Sequence, residues 1–224
     1  MDQPERRGTR PEKPRLIVTR PAHQAGPLAE RLERLGYRVE LCPLIAIEPL
    51  GDGPLDLAGY DWVVVTSPNG ADELARRARG PVPRLAAIGP GTADALAARG
   101  LEAELVPRVS TQEGLLAELP RPPGRVLLAA AEGARRLLVD ELGADYLPLY
   151  RTVELRPTEP PRGDLAVLAS ASQARAFGAL GLGVPAVSIG PQTTAAARAA
   201  GVDVVAEAET HDLAGLVAAV ERAG

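Results

Sequence analysis

The sequence is poor in the residues on which metal, redox and nucleophile chemistry usually depend. It has a single cysteine, Cys42, and two histidines, His23 and His211. A lone cysteine excludes a disulfide within the chain and any multi-cysteine metal site, and reads as a buried apolar residue. Neither histidine stands in an H-E-x-x-H context, so no metal site is expected. No apolar run approaches the ~18 residues of a membrane span, and no apolar signal core follows Met1. A cytoplasmic protein with no membrane partner is expected. Lysine is almost missing: of 25 Lys and Arg residues only Lys13 is a lysine. That reads as compositional bias and leaves only particular loop arginines to interpret. With a net charge of −4, nothing global recruits nucleic acid. No G-x-G-x-x-G opens the first helix, and G-x-x-x-x-G-K-[ST] and G-x-S-x-G are missing too. Dinucleotide, P-loop and nucleophile-elbow chemistry are therefore not expected. No sustained heptad is present, and a monomer is expected.

What the chain does contain is a phrase used twice. Ile88-Gly89-Pro90-Gly91-Thr92 returns as Ile189-Gly190-Pro191-Gln192-Thr193, each time after a short apolar strand and before an Ala-rich helix. The echo extends at constant offset, from Gly100 to Gly201, Gly114 to Gly215 and Leu115 to Leu216. A duplicated strand–loop–helix unit implies two similar lobes facing one ligand.

Residues 1–14 lack apolar periodicity and predict a disordered arm. Leu16-Ile17-Val18 predicts a strand, followed by a helix with Leu28, Leu32 and Leu35 on one face and Gly36 as its stop. Val126-Leu127-Leu128 starts the same pattern again, with Leu137, Leu138, Leu142 and the stop Gly143. Both stretches continue in a Pro-Leu segment, Pro43-Leu44-Ile45 and Pro148-Leu149-Tyr150. Further strands are predicted at Asp61–Val65, Leu85–Ile88 and Glu102–Val106, and at Leu165–Ala169, Ala186–Ile189 and Asp203–Ala206. About ten strands alternating with helices predict an α/β protein with parallel sheets flanked by helices. Two domain boundaries fit. One is the joint Pro120-Arg121-Pro122-Pro123-Gly124. In the other, segments 43–51 and 148–154 pair as a two-stranded ribbon linker. One lobe is then 52–147, and the other is discontinuous, 15–42 plus 155–224.

In open parallel sheets ligands bind beyond the carboxyl ends of the strands. Free N–H groups and the helix dipole make those ends suited to anions. Loops of fitting composition are Thr19-Arg20-Pro21, Thr66–Gly70, Gly89–Thr92, Glu132–Arg135, Ser170–Gln173 and Gly190–Thr194. Together they suit a ligand with several carboxylates or phosphates, although Ser, Thr and Asn also cap helices whatever the function. Tyr150 is a polar aromatic in the second Pro-Leu segment. It reads either as a proton donor to a leaving group or as a tyrosine packing its ring.

Taken together, these phrases resemble the uroporphyrinogen-III synthase family. The resemblance is carried by Val-Thr-Arg-Pro-x-x-Gln-Ala (18–25), Pro-Leu-Ile-x-Ile-Glu-Pro (43–49) and Thr-Ser-Pro-Asn-Gly (66–70). It continues in Ile-Gly-Pro-Gly-Thr-Ala (88–93), Leu-Pro-Leu-Tyr-Arg-Thr-Val (147–153) and Ile-Gly-Pro-Gln-Thr-Thr (189–194). It implies two α/β lobes joined by a two-stranded ribbon, which favours the discontinuous lobe assignment. It also implies a lyase of tetrapyrrole and heme biosynthesis, working without metal or organic cofactor on hydroxymethylbilane. A transient contact with hydroxymethylbilane synthase, which releases that substrate, is implied as well. By matching motif, Tyr150 would assist hydroxyl departure. Arg20, Ser67, Asn69, Gly89, Thr92, Arg135, Ser170, Gly190 and Thr193 would bind substrate. Two departures stand out: Ala129-Ala130-Ala131 where the family often has a nearby arginine, and Ser170-Ala171-Ser172 in place of Ser-Pro-Ser. The competing reading is a two-lobed, non-catalytic binding protein for a small polyanionic ligand.

Overall fold

The computed structural model describes residues 13–224; the first twelve residues of the expected N-terminal arm lie outside the described residues. The chain forms two compact units, one from residues up to Ala46 and from Glu154 onward, the other from Ile47–Val153. It begins with β1 (Arg15–Val18), α1 (Ala22–Arg34) and β2 (Arg38–Leu41). Next come β3 (Ile45–Pro49), β4 (Leu55–Asp56), β5 (Trp62–Val65), α2 (Pro68–Arg77), β6 (Ala78–Arg79) and β7 (Arg84–Ala87). They are followed by α3 (Pro90–Ala97), β8 (Ala103–Leu105), α4 (Gln112–Glu118), β9 (Val126–Ala131), α5 (Leu137–Leu142) and β10 (Asp145–Glu154). The chain closes with β11 (Leu165–Leu168), α6 (Ala171–Gly178), β12 (Ala186–Ser188), α7 (Pro191–Ala199), β13 (Val204–Glu207) and α8 (Leu213–Ala223).

In the first unit five parallel strands lie in the order β13-β12-β11-β1-β2. Counted within the unit this is the doubly wound order 2-1-3-4-5, with its switch point between β1 and β11. In the second unit the sheet runs β3-β10-β9-β5-β7-β8. There β9 and β10 occupy the places of β1 and β2, while β5, β7 and β8 occupy those of β11, β12 and β13. The repeat is therefore circularly permuted, and the second switch point lies between β9 and β5, which pair in parallel from Trp62–Val126 to Val65–Ala129. β3 adds an edge strand to this sheet. Leu155 N donates to Leu44 O and Leu50 N to Leu149 O, so β3 and β10 run antiparallel.

The consecutive apolar runs follow from sheets covered on both faces. Leu16 and Val18 enter one core with Leu28, Leu32 and Leu216, whereas Ile17 between them packs on the other face with Leu168 and Phe177. Val63 and Val65 likewise face Leu74 and Leu96, while Trp62 and Val64 face Leu115 and Leu138. Gly36 and Gly143 follow α1 and α5 at φ 86° and 64°, a left-handed conformation that favours glycine. The early stop has a consequence for α1. Leu28 and Leu32 are fully buried, but Leu35, expected on the same face, is the C-cap and 36% exposed. The two-residue strands β4 and β6, paired in parallel, are too short to leave a periodic signal in sequence. Among the described residues no helix is long and apolar enough to cross a membrane.

Candidate active site

The second unit brings three of the expected residues together at its switch point. β5 runs into Ser67, the N-cap of α2, whose Oγ accepts from Gly70 N at 3.0 Å. Pro68, at the first helical position, needs no hydrogen-bond partner for its nitrogen and presets φ for the helix. The same Ser67 Oγ lies 2.8 Å from Tyr150 Oη. Tyr150 stands on β10, and its carbonyl accepts from Glu132 N at 2.7 Å where β9 ends. The Tyr150 side chain is 5% exposed. Burial pushes its phenol above the ordinary value, while hydrogen bonds with Ser67 and Asn69 pull the other way. A phenol kept neutral is chemically able to donate a proton.

In the first unit β1 runs into Thr19 and Arg20, beside the end of β11. Thr19 is fully buried, with its hydroxyl 3.1 Å from Val167 O and 3.0 Å from Gln173 Oε1. Arg20 is half-buried, and its Nε is buried with no partner among the described residues. Burial lowers its pKa, yet a guanidinium keeps its charge at neutral pH. Ser170 caps α6, its Oγ accepting from Gln173 N at 3.3 Å.

The doubled Gly-Pro turns serve the next strand in each sheet. Gly89 and Gly190 are the N-caps of α3 and α7, both in extended backbone with no side-chain cap. A Cβ at Gly89 would lie 2.5 Å from Ser110 Oγ and 2.9 Å from Ser110 Cβ; one at Gly190 would lie 2.8 Å from His211 Cδ2. Gly89 is thus demanded by the neighbouring loop, whatever it binds, whereas at Gly190 the exposed His211 ring would have to swing aside. Thr92 and Thr193 are buried in the first turns of these helices. Thr194, next to Thr193, contacts Ser188 Oγ at 2.5 Å and donates to Glu207, tying α7 to β12 and β13.

The profile of the uroporphyrinogen-III synthase HemD family matches residues 26–218. The chain belongs to the uroporphyrinogen-III synthase family. It is 28% identical over 248 aligned positions to the uroporphyrinogen-III synthase of Synechococcus elongatus, covering 92% of this chain and 94% of that protein. It is 29% identical to that of Chlorobaculum parvum over 46% of each chain. A crystal structure of a mutant uroporphyrinogen III synthase from Thermus thermophilus shares the fold. The TM-score is 0.59 at 21% identity, with 93% of this chain and 98% of that chain covered.

Not every residue expected from this family resemblance is placed alike. Arg135 lies in the turn between β9 and α5 with its side chain 65% exposed, and it is ion-paired with Glu113. That pairing raises the Arg135 pKa and lowers that of Glu113. Among the described residues no three His, Cys, Asp or Glu side chains gather as metal ligands, and His23 is exposed on α1. The sequence places Gln173 in the anion-suited loop Ser170–Gln173 without giving it a role of its own; its buried carboxamide links the ends of β1 and β11. Its signal was present as Ser170-x-x-Gln173, the spacing of a capping box.

Proposed function

We propose that this chain is a uroporphyrinogen-III synthase, closing hydroxymethylbilane with inversion of its last pyrrole ring. The observation that carries the reading, beside family membership, is the buried Tyr150 phenol held by the helix cap Ser67 at a sheet switch point. In this reading the pyrrole nitrogen pushes out the terminal hydroxyl as Tyr150 Oη delivers a proton to it. Water leaves and an azafulvene forms. The substituted carbon of the last pyrrole attacks the exocyclic carbon, and a spiro intermediate carries the inversion. The phenolate recovers a proton as the closed ring loses one. Arg20 and the turns at Ser67, Gly89, Ser170 and Gly190 take the substrate's carboxylates, by guanidinium pairing and by free N–H groups at helix starts.

The catalytic task is largely selection of the attacking carbon, because free hydroxymethylbilane closes by itself to the symmetrical isomer. Orientation of this kind contributes up to about 7–11 kcal/mol in the most favourable intramolecular cases. An acidic protein can perform it, since local fields at strand ends and not net charge meet the ligand. The test is an isomer assay. Hydroxymethylbilane is generated in situ by a deaminase, the protein is added, and the oxidised uroporphyrins are separated by chromatography. Type III product is expected; type I alone from a folded protein refutes the reading and leaves the polyanion-binding module in its place.

A further inference from the structure

The two units share one plan, yet their switch points are furnished differently. With the N-caps Ser67 and Ser170 taken as equivalent, the strand registers set Thr19, Arg20 and Gln173 against Ala129, Ala130 and Gly70. In the unit that carries the arginine, a side chain ties the two central strand ends together. Gln173 does this through one atom: its Oε1 lies 3.0 Å from Ala169 N and 3.0 Å from Thr19 Oγ1, and both donate to it. The Ala169 N–H can only donate, which identifies that atom as the oxygen and fixes the carboxamide's orientation. Thr19 precedes Arg20 and Ala169 precedes Ser170, so the link closes directly beneath both residues. Gln173 is 4% exposed and Thr19 fully buried, which removes water as a competitor. The Arg20 Nε above has no hydrogen-bond partner among the described residues to hold it, so its placement depends on the backbone corner from which the side chain projects.

We infer that Gln173 is a positioning residue: it locks the Thr19–Arg20 corner to the Ala169–Ser170 end of β11, so that Arg20 presents a fixed guanidinium to one substrate carboxylate. The inference rests on the synthase reading above. The same Ser-x-x-Gln spacing serves α6 as a variant capping box, reaching Ala169 N instead of the N-cap's own N–H. Helix capping alone and positioning of Arg20 differ in what they predict.

The decisive experiment is a double-mutant cycle with hydroxymethylbilane as substrate, measuring KM and kcat for wild type, Gln173→Leu, Arg20→Ala and the double variant. Leucine keeps the volume and removes the acceptor. The Thr19 hydroxyl can turn its proton to Val167 O at 3.1 Å, while the Ala169 N–H is left unpaired. Gln173→Leu is expected to raise KM about tenfold with kcat within about threefold, and to add less than about twofold in the Arg20→Ala background. An unchanged KM in the folded variant, or an equal rise in both backgrounds, overturns the inference. Thr19→Val, which removes a single bond from the link, serves if Gln173→Leu does not fold; it should raise KM only when Arg20 is present, and a rise without Arg20 overturns the inference equally. Wild-type protein yielding type I uroporphyrin alone refutes the synthase reading itself. Type III product together with independent effects of the two substitutions refutes only the positioning role.

Discussion

The phenol oxygen of Tyr150 lies 2.8 Å from Oγ of Ser67, the atom that also accepts the Gly70 N–H at 3.0 Å. One serine hydroxyl thus couples the start of α2 to the candidate acid. Tyr150→Phe removes the hydroxyl and leaves the ring packed in its core. A loss in kcat of about a hundredfold or more is expected, in the range of general acid catalysis, with KM little changed. Ser67→Ala should lose about 1 kcal/mol of stability with the cap and show a smaller fall in kcat. A Tyr150→Phe protein with wild-type kcat would remove Tyr150 from the mechanism.

The same phenol carries a pH signature. Burial raises its pKa in the folded protein, so the native state holds this proton more tightly than the unfolded chain does. Its contribution to stability is complete below the ordinary phenol value of about 10 and is lost as pH rises through the folded value. Catalysis should accordingly show no phenol ionisation across the neutral range. Ultraviolet titration of wild type against Tyr150→Phe isolates the missing increment. It is expected above the ordinary value; an increment at or below it contradicts the buried, protonated acid.

Much of this arrangement could be read from the residues, and the remainder has identifiable reasons for escaping. The echo of Ile88–Thr92 in Ile189–Thr193 marked two like units because strand, turn and helix start each left a local signal. The circular permutation left a partial one in the two Pro-Leu segments, but the strand order itself depends on pairing between β5 and β9, which lie far apart in sequence. Ser67 and Tyr150 were legible as candidates from turn chemistry and motif, but their contact spans 83 positions and only the fold reveals it. Gln173 was legible only as part of the Ser170–Gln173 turn, because its partners Thr19 and Ala169 come from different strands and its spacing alone reads as a helix cap. Leu35 misled for a simpler reason: periodicity does not say where a helix ends, and Gly36 ended it one residue too soon.

Gly89 and Gly190 test whether the doubled phrase is maintained by packing or by ligand. Neither has a left-handed φ, so backbone strain is not the issue. The obstacle is space: a Cβ would meet Ser110 Cβ at 2.9 Å in one unit and His211 Nε2 at 2.9 Å in the other. Gly89→Ala should lose about 1–3 kcal/mol, the usual cost of overpacking, measured by urea unfolding. Adding Ser110→Gly should restore most of that loss by vacating the contacted atoms. Failure of Ser110→Gly to rescue would move the explanation from packing to the helix start itself.

Arg20 and Arg135 look equivalent in the sequence, since each follows a central strand end and each is a candidate carboxylate partner. Their surroundings separate them. Arg135 is exposed and already paired with Glu113, so a substrate carboxylate would displace an existing ion pair in water, a small net gain. Arg20 is half-buried with Nε desolvated and unpartnered, so its desolvation cost is met during folding and is not charged to binding. Arg20→Ala should therefore raise KM for hydroxymethylbilane by about tenfold or more, the size of one charge-assisted pair. Arg135→Ala should stay within about threefold of wild type. The ranking is the test: a larger KM effect from Arg135→Ala than from Arg20→Ala would mean that burial at the β1 end does not prepare Arg20 for an anion.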